Sequence, residues 1–268
     1  MLTALTNEEF DVLVIGGGIT GVGIALDAAT RGLRTALVER DDYASGTSSK
    51  SSKMIHGGLR YLQQGDVRLV YEALRERQRL LRNAPHLVSV LPFLIPVLTK
   101  DGPVSKKIAK ALRSALWMYD LTGGLRIGKR HQHLGADEAL AHCPTMPADK
   151  LSSGFVYYDA GADDARVTLT VARTAAVHGA VVANRCEVVD LTKGEDGLVN
   201  GAVIDTGAEH ISVRASVVGG GPRGGGAPHP ARAQGGRPQA LPPAHGGPHT
   251  GAGAPRGPPK RGLIYLPG

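Results

Sequence analysis

DVLVIGGGITGVGIALDAATRG, residues 11–32, followed two residues later by TALVE at 35–39, decides the fold of this chain. Asp11–Ile15 is a short apolar run rich in β-branched residues, which reads as a buried strand. Gly16, Gly18 and Gly21 then take the spacing G-x-G-x-x-G, and Val22–Arg31 has helical composition. Gly16 permits the turn, Gly18 lets the backbone approach a pyrophosphate, and Gly21 lets helix and strand pack closely. Unpaired N–H groups and the positive end of the helix dipole face the phosphates. Gly32 fits a helix stop, and Thr35–Glu39 reads as a second strand whose terminal acid, Glu39, stands where a ribose hydroxyl needs an acceptor. A glycine turn without a ligand is the plainer reading of the loop alone; strand, helix and acid in register make it a dinucleotide site. NAD and FAD sites share this fingerprint, so the dinucleotide stays open at this point.

A second segment, TSSKSSKMIHGGLRYL (Thr47–Leu62), narrows the choice. Thr47, Ser48, Ser49, Ser51 and Ser52 supply hydroxyl donors, and Gly57 and Gly58 permit close backbone contact with a flat ring. A polar surface loop has a similar composition. His56 alone is open between orienting a ring, shuttling a proton and satisfying a carbonyl. This segment, with YLQQGDVRLVYEALRERQRLLRNAPHL behind it (Tyr61–Leu87), WMYDLTGG (Trp117–Gly124) and FVYYDAGADDARVTLTVARTA (Phe155–Ala175), closely resembles the flavin-dependent glycerol-3-phosphate dehydrogenases. These belong to the wider family of FAD-linked amine and hydroxyl oxidoreductases, and the resemblance runs over about residues 11–218.

The resemblance implies FAD as cofactor, held by Gly16, Gly18, Gly21, Glu39, Thr47, Ser48, Ser52, Gly57 and Gly58, with the backbone near Val188 at the adenine. It implies His56 near the ring, Arg60 at the substrate phosphate and Tyr61 beside it as a hydroxyl donor. A planar, permanently charged guanidinium suits a phosphate; a surface ion pair with Asp66 or Glu72 is the plainer use of Arg60. The implied reaction oxidises sn-glycerol 3-phosphate to dihydroxyacetone phosphate, with electrons passed through FAD to a membrane quinone. The implied fold is α/β: a Rossmann-like FAD-binding domain with an inserted antiparallel-sheet substrate domain, incomplete here, and a disordered Gly/Pro-rich tail. Along the chain this gives 9–82 as the first part of the FAD-binding domain and 83–160 as part of the substrate domain. A helix and β-meander of the FAD domain follow at 161–218, the tail at 219–260 and a remnant strand at 261–268. Two other readings stay open. One is another FAD-dependent amine or amino-acid oxidoreductase of the same fold, lacking a phosphate-selective arginine at Arg60; the other is a non-catalytic fragment whose basic tail binds polyanions.

The net charge of +7 belongs to the tail, since Gly219–Gly268 carries six basic residues and no acid, whereas Met1–Val218 carries 25 basic against 24 acidic residues. Between Gly219 and Lys260 the 42 residues include 13 Gly, 10 Pro, 7 Ala and 4 Arg, without Asp, Glu, Val, Ile or an aromatic, so no packed core is expected there. One reading is a flexible basic arm for nucleic acid or acidic membranes. The other is an out-of-frame stretch of a GC-rich gene, giving a truncated product. In the family Val213–Val218 leads into an Asn-Ala-Thr-Gly turn, here replaced by GGGPRGGG, and KRGLIYLPG (Lys260–Gly268) resembles a later strand.

Elsewhere, Asp66–Asn83 reads as a helix with Leu69, Val70, Ala73, Leu74, Leu80 and Leu81 on one buried stripe. The apolar run His86–Leu98 is 13 residues long, short of the ~20 that span a bilayer. Without a signal peptide, the chain is expected in the cytoplasm. Lys106, Lys107, Lys110 and Arg113 interleave with Ile108, Leu112, Leu116 and Tyr119. That pattern fits a basic amphipathic helix peripheral on the inner face of the cell membrane, or a helix packed on the substrate domain. Asp163–Gly179 reads as a helix with Val167, Val171, Ala175 and Ala176 inward, and Val181–Val218 as an antiparallel meander. Asp159, Asp163, Asp164 and Arg166 read as a capped helix start with a local ion pair. Cys143 and Cys186 read as reduced structural thiols, and His131 and His133 are too little for zinc. No metal and no specific nucleic acid are expected, and the sequence leaves the oligomeric state open.

Overall fold

The computed structural model of the 268-residue chain describes residues 1–62, 65–98, 106–122, 127–220 and 262–265. Its elements run in the order α1 (Leu2–Asn7), β1 (Glu9–Ile15), α2 (Ile19–Thr30), β2 (Thr35–Val38), β3 (Met54–Ile55), α3 (Leu59–Leu62), α4 (Val67–Asn83), β4 (Val88–Leu98), α5 (Lys106–Thr122) and β5 (Gln132–Gly135). They continue with α6 (Ala136–His142), β6 (Leu151–Ala162), α7 (Asp164–Val177), β7 (Val181–Ala183), β8 (Glu187–Lys193), β9 (Val199–Asp205), β10 (His210–Gly220) and β11 (Gly262–Tyr265). Two compact units result: Met1–Lys50 with Asp164–Gly268, and Ser51–Asp163. Residues 51–82, grouped with the cofactor-binding part in the sequence, pack in the second unit.

In the first unit the strands run in the order β7-β2-β1-β10-β9-β8, with β11 beside β10. β1 pairs in parallel with both β2 and β10, and its two faces pack into separate clusters, so it reads as continuous apolar sequence. Leu13 faces Ala36, Val38, Ile204 and Val218, whereas Val14 and Leu37 face Val22, Ala25, Ala172 and Ala175 of α2 and α7. Small residues at 25, 172 and 175 let those two helices approach each other. In α7 the inward positions are Thr168, Ala172 and Ala175, with Val167 and Val171 half-buried and Ala176 exposed. This rotates the expected stripe by one residue.

The meander expected over residues 181–218 is confined to β8–β10. β7 joins β2 in parallel instead, because Gly179 at φ +93 ends α7 and returns the chain to the sheet edge. β10 changes partner along its length: residues 210–214 pair antiparallel with β9, and 214–220 pair parallel with β1. Gly219 and Gly220 lie opposite Val14 and Ile15, so two residues assigned to the tail by composition belong to a strand. Backbone pairing ignores side chains, and glycine fits where strands lie close: a Cβ on Gly220 would sit 2.9 Å from the Ile15 carbonyl oxygen. β11 pairs with β10 in parallel through Gly262–Tyr265; the calls on residues 221–261 lie outside the described residues.

The second unit is an antiparallel sheet in the order β3-β6-β4, with β5 also on β6. β4 pairs along its length with β6, and on this edge strand Pro92 and Pro96 sacrifice no ladder bond. Alternation along β6 sends Val156 and Tyr158 to one face, with Leu134 and Ala139. Phe155 and Tyr157 go to the other, with Val97, Leu116 and Leu59. Asp66 caps α4 by accepting from the Leu69 N–H at 3.0 Å. The buried face of α4 is Val70, Leu74 and Arg77; Leu69 and Leu80, expected inside, are 40% and 36% exposed. In α5, Leu116, Tyr119 and Asp120 are buried while Trp117, Met118 and Leu121 are exposed. The side chains of Lys106, Lys107, Ile108 and Lys110 lie outside the described residues. No described helix is long and apolar enough to cross a membrane.

Candidate functional site

The glycine loop of the first unit is shaped as its spacing predicts. Gly16 has φ +106 and its N–H donates to the Val38 carbonyl at 2.8 Å, which ties the loop to the end of β2. A Cβ on Gly21 would overlap the carbonyl oxygen of Gly16, so the third glycine is required by the return of the helix against its own loop. Gly18 occupies the N-cap of α2 and brings no side chain to it. The missing acceptor comes from Ser48, on a short 3-10 turn at Thr47–Ser49, whose Oγ accepts from the Ile19 N–H at 2.9 Å. That hydroxyl is thereby fixed at the positive end of the helix with its own proton free for an anion. Thr47 is exposed on the same turn.

Glu39, just past β2, turns back on the loop. Its Oε2 accepts from the Gly17 N–H at 2.6 Å and its Oε1 from the Asp41 N–H at 3.0 Å. Each oxygen keeps a lone pair for a hydroxyl. The Glu39 backbone donates to Ala183 O at 2.9 Å and accepts from the Cys186 N–H at 2.8 Å, which places the start of β8 beside it. Val188 buries its side chain in the core, leaving only its backbone for contact. Glycine amides at a helix N-terminus, a fixed hydroxyl and a carboxylate beyond them match, in order, a diphosphate followed by a ribose. Replacing Glu39 by Ala removes charge-assisted bonds worth ~1.5–3 kcal/mol. The expected result is a roughly ten- to hundredfold loss of dinucleotide affinity in a fluorescence titration.

The second unit holds the segment from Ser52 to Tyr61. Ser52 and His56 are exposed and Gly57 and Gly58 are buried. Gly58 has φ +73, and its carbonyl accepts from the Tyr61 N–H at 2.8 Å, which starts α3. Arg60 is the second residue of that helix; its side chain lies outside the described residues. Tyr61 is 37% exposed and its ring lies over Gly58, where a Cβ would come within 2.6 Å of Cδ2. Gly57 has a reason that the sequence does not disclose: a Cβ there would overlap Leu74 Cδ2 and Tyr119 Oη. Packing inside the unit requires this glycine, independently of any ring.

Behind Gly57 lies a charged cluster with no counterpart in the expected site. Asp159 is 1% exposed and its Oδ1 accepts from the Gly57 N–H at 2.9 Å and from the Tyr119 hydroxyl at 2.8 Å. It also accepts from Arg77 Nη1, which in turn donates to the Tyr158 carbonyl at 3.2 Å. Arg77 Nε and Nη2 are buried and have no hydrogen-bond partner among the described residues. Burial pushes the Tyr119 phenol well above its ordinary range, opposed by Arg77 and reinforced by Asp159, and pushes Tyr157 up to about 12. Both therefore stay protonated, and Tyr119 donates. Asp159 is thus no part of a helix cap. The signal was available: Arg77 falls three residues after Leu74 and seven after Val70, on the apolar stripe, and Asp159 continues the alternation of Phe155 and Tyr157. Of the other acids, Asp163 meets the distant Lys53 at 3.5 Å, whereas Asp164 acts locally and accepts from the Ala165 N–H at 2.9 Å.

His131 Nδ1 lies 2.7 Å from Asp120 Oδ2, and the His133 ring tilts over Phe155 at 4.8 Å. Cys143 and Cys186 are free thiols, and burial pushes Cys186 up. The structure therefore gathers the calls into two sets, Gly16, Gly18, Gly21, Glu39, Thr47, Ser48 and the backbone toward Val188 in one unit, and Ser52, His56, Gly57, Gly58 and Tyr61 in the other.

A parallel sheet with a glycine-loop dinucleotide cradle, interrupted by an antiparallel unit, defines a class of flavin oxidoreductases. The family described as DAO, FAD dependent oxidoreductase, matches residues 11–267, and the chain belongs to it. It is 48% identical over 219 residues to the mitochondrial glycerol-3-phosphate dehydrogenase of Mus musculus, covering 79% of this chain and 28% of that protein. It is 52% identical over 201 residues to the glycerol-3-phosphate dehydrogenase of Mycobacterium leprae, covering 75% and 34%. The solved glycerol-3-phosphate dehydrogenase of Bacillus halodurans, complexed with FAD, superimposes with a TM-score of 0.60 at 30% identity, covering 81% of this chain and 35% of that one. The chain spans about a third of the length of the relatives it matches.

Proposed function

We propose that this chain carries the FAD-binding and substrate-phosphate elements of an enzyme that oxidises sn-glycerol 3-phosphate to dihydroxyacetone phosphate and passes the electrons to a membrane quinone. The observation that carries this reading is the segment His56-Gly57-Gly58-Leu59-Arg60-Tyr61, in a chain 48% identical to a glycerol-3-phosphate dehydrogenase and bearing a dinucleotide cradle that fits the cofactor. The amides of Gly16–Gly21 and the Ser48 hydroxyl hold the diphosphate, Glu39 the ribose and the backbone near Val188 the adenine, with Thr47, Ser52, Gly57 and Gly58 toward the flavin. Arg60 holds the substrate phosphate, with the Tyr61 hydroxyl beside it and His56 placed to orient the reacting end. The flavin, when bound, supplies the acceptor for the hydride from C2, and the C2 hydroxyl proton leaves to a base. Positioning and charge are the protein's share. Exposed Trp117, Met118 and Leu121 on α5, with exposed Arg113 a turn earlier, support a peripheral contact with the inner face of the cell membrane.

The test uses the 268-residue chain, purified and titrated with FAD. Flavin absorbance retained on the protein and reduction of an artificial electron-accepting dye by glycerol 3-phosphate are expected. Reduction by amines or amino acids alone would replace the substrate assignment, and tighter binding of a nicotinamide dinucleotide than of FAD would remove the reading altogether.

A further inference from the structure

We propose that Asp159, held by Arg77 and Tyr119, is the positioning residue that sets the backbone of the His56–Tyr61 segment, an assignment that rests on the function proposed above. The four groups come from distant parts of one unit: Gly57 after β3, Arg77 on α4, Tyr119 on α5 and Asp159 on β6. They converge on a single carboxylate oxygen, Asp159 Oδ1, which accepts from the Gly57 N–H, the Tyr119 hydroxyl and Arg77 Nη1.

Stability alone does not account for this arrangement. A buried ion pair stabilises little unless the remaining donors are satisfied, and here Arg77 Nε and Nη2 have no partner among the described residues. An apolar pair of the same volume would fill the space at lower cost. The ion pair does hold the one amide that precedes the left-handed residue Gly58, at φ +73. From that residue the chain enters α3, where the Gly58 carbonyl accepts from the Tyr61 N–H. Leu74 and Tyr119 also leave no room for a side chain at 57. Gly57 is therefore fixed both by a hydrogen bond and by packing. His56, one residue before it, and Arg60 and Tyr61, three and four residues after it, inherit their direction from that point. Of the two phenols, Tyr119 donates to the carboxylate, and Tyr157 packs edge-on against the Tyr119 ring at 6.1 Å and 89°.

The experiment compares two double variants of the full chain, so that no charge is stranded in either. R77M/D159L removes the ion pair and the acceptor of the Gly57 amide. R77M/D159N removes both charges but keeps an oxygen facing that amide. Both are expected to fold with melting temperatures within a few degrees of the parent. In R77M/D159L, hydrogen–deuterium exchange over residues 56–62, measured without cofactor, is expected to accelerate at least tenfold, while β4 and β6 keep their protection. In R77M/D159N the protection of 56–62 is expected to return. FAD affinity and KM for glycerol 3-phosphate are expected to follow the same order, worsening about tenfold in the first variant and recovering in the second. Unchanged exchange at 56–62 in R77M/D159L, or no recovery in R77M/D159N, would overturn the assignment and leave the cluster a packing feature. Exchange that behaves as stated in a protein that neither binds FAD nor oxidises glycerol 3-phosphate would remove the functional reading and keep the positioning role.

Discussion

Asp159→Ala is expected to be the most damaging single substitution in the second unit, lowering stability by about 3–5 kcal/mol, the cost of removing one partner from a buried ion pair. The reason lies in what remains. Arg77 is 1% exposed, and its guanidinium would lose the only carboxylate it meets among the described residues, while the Gly57 N–H and the Tyr119 hydroxyl would lose their acceptor. A positive charge with no counter-ion in a dry core either stays uncompensated or draws water in, and either outcome loosens the contact of α4 and α5 with β6. Urea unfolding measures the effect: the midpoint should fall by more than 1 M, given a slope of roughly 1–3 kcal/mol per M. A loss below about 1 kcal/mol would mean that solvent already reaches Arg77. The part of the cost that belongs to the stranded charge should vanish in R77M/D159L, leaving only the Gly57 N–H and the Tyr119 hydroxyl without their acceptor.

Gly21→Ala is expected to abolish retention of the flavin, with purified protein colourless at FAD concentrations that saturate the parent. The added methyl group meets the carbonyl oxygen of Gly16. That atom belongs to the backbone of the loop itself and cannot swing aside as a side chain would. Either the loop opens or α2 shifts along its axis, and both displace the amides that face the diphosphate. Overpacking of this kind costs ~1–3 kcal/mol in stability, a change that calorimetry should register even without cofactor. Gly23→Ala provides the contrast in the same helix. Nothing lies within 4 Å of a Cβ there, so that substitution should leave flavin binding intact and raise stability by roughly 0.4–1 kcal/mol. If the two substitutions behaved alike, the spacing of the glycines would have no bearing on the cofactor.

The cradle was legible in the linear sequence because its physics is local. Gly16, Gly18 and Gly21 lie within six residues and Glu39 ends the next strand, so strand, turn, helix and acid are specified by short-range rules. The segment at Thr47–Leu62 was legible only through its resemblance to a family, since hydroxyls and glycines in a loop have no periodicity to read. One expectation failed for an instructive reason, and one glycine has a use that the sequence did not disclose. The stripe on α4 was assigned by hydrophobicity, which placed Leu69 and Leu80 inside and left Arg77 unassigned, whereas the helix turns Arg77 inward because an acid waits on β6. Gly57 was read as room for a ring, whereas Leu74 and Tyr119 fill that side of it.

Composition and order along the chain by themselves determined the α/β class, the glycine loop with the acid that follows β2, and the change of character beyond Val218. Tertiary structure alone decided that Ser48 caps α2, that β10 belongs to two ladders at once, and that Asp159, Arg77, Tyr119 and Gly57 meet at one carboxylate oxygen. Rules of spacing act over a few residues along the backbone. A hydrogen bond between positions 102 residues apart depends on how sheets and helices pack, and no local pattern encodes that distance.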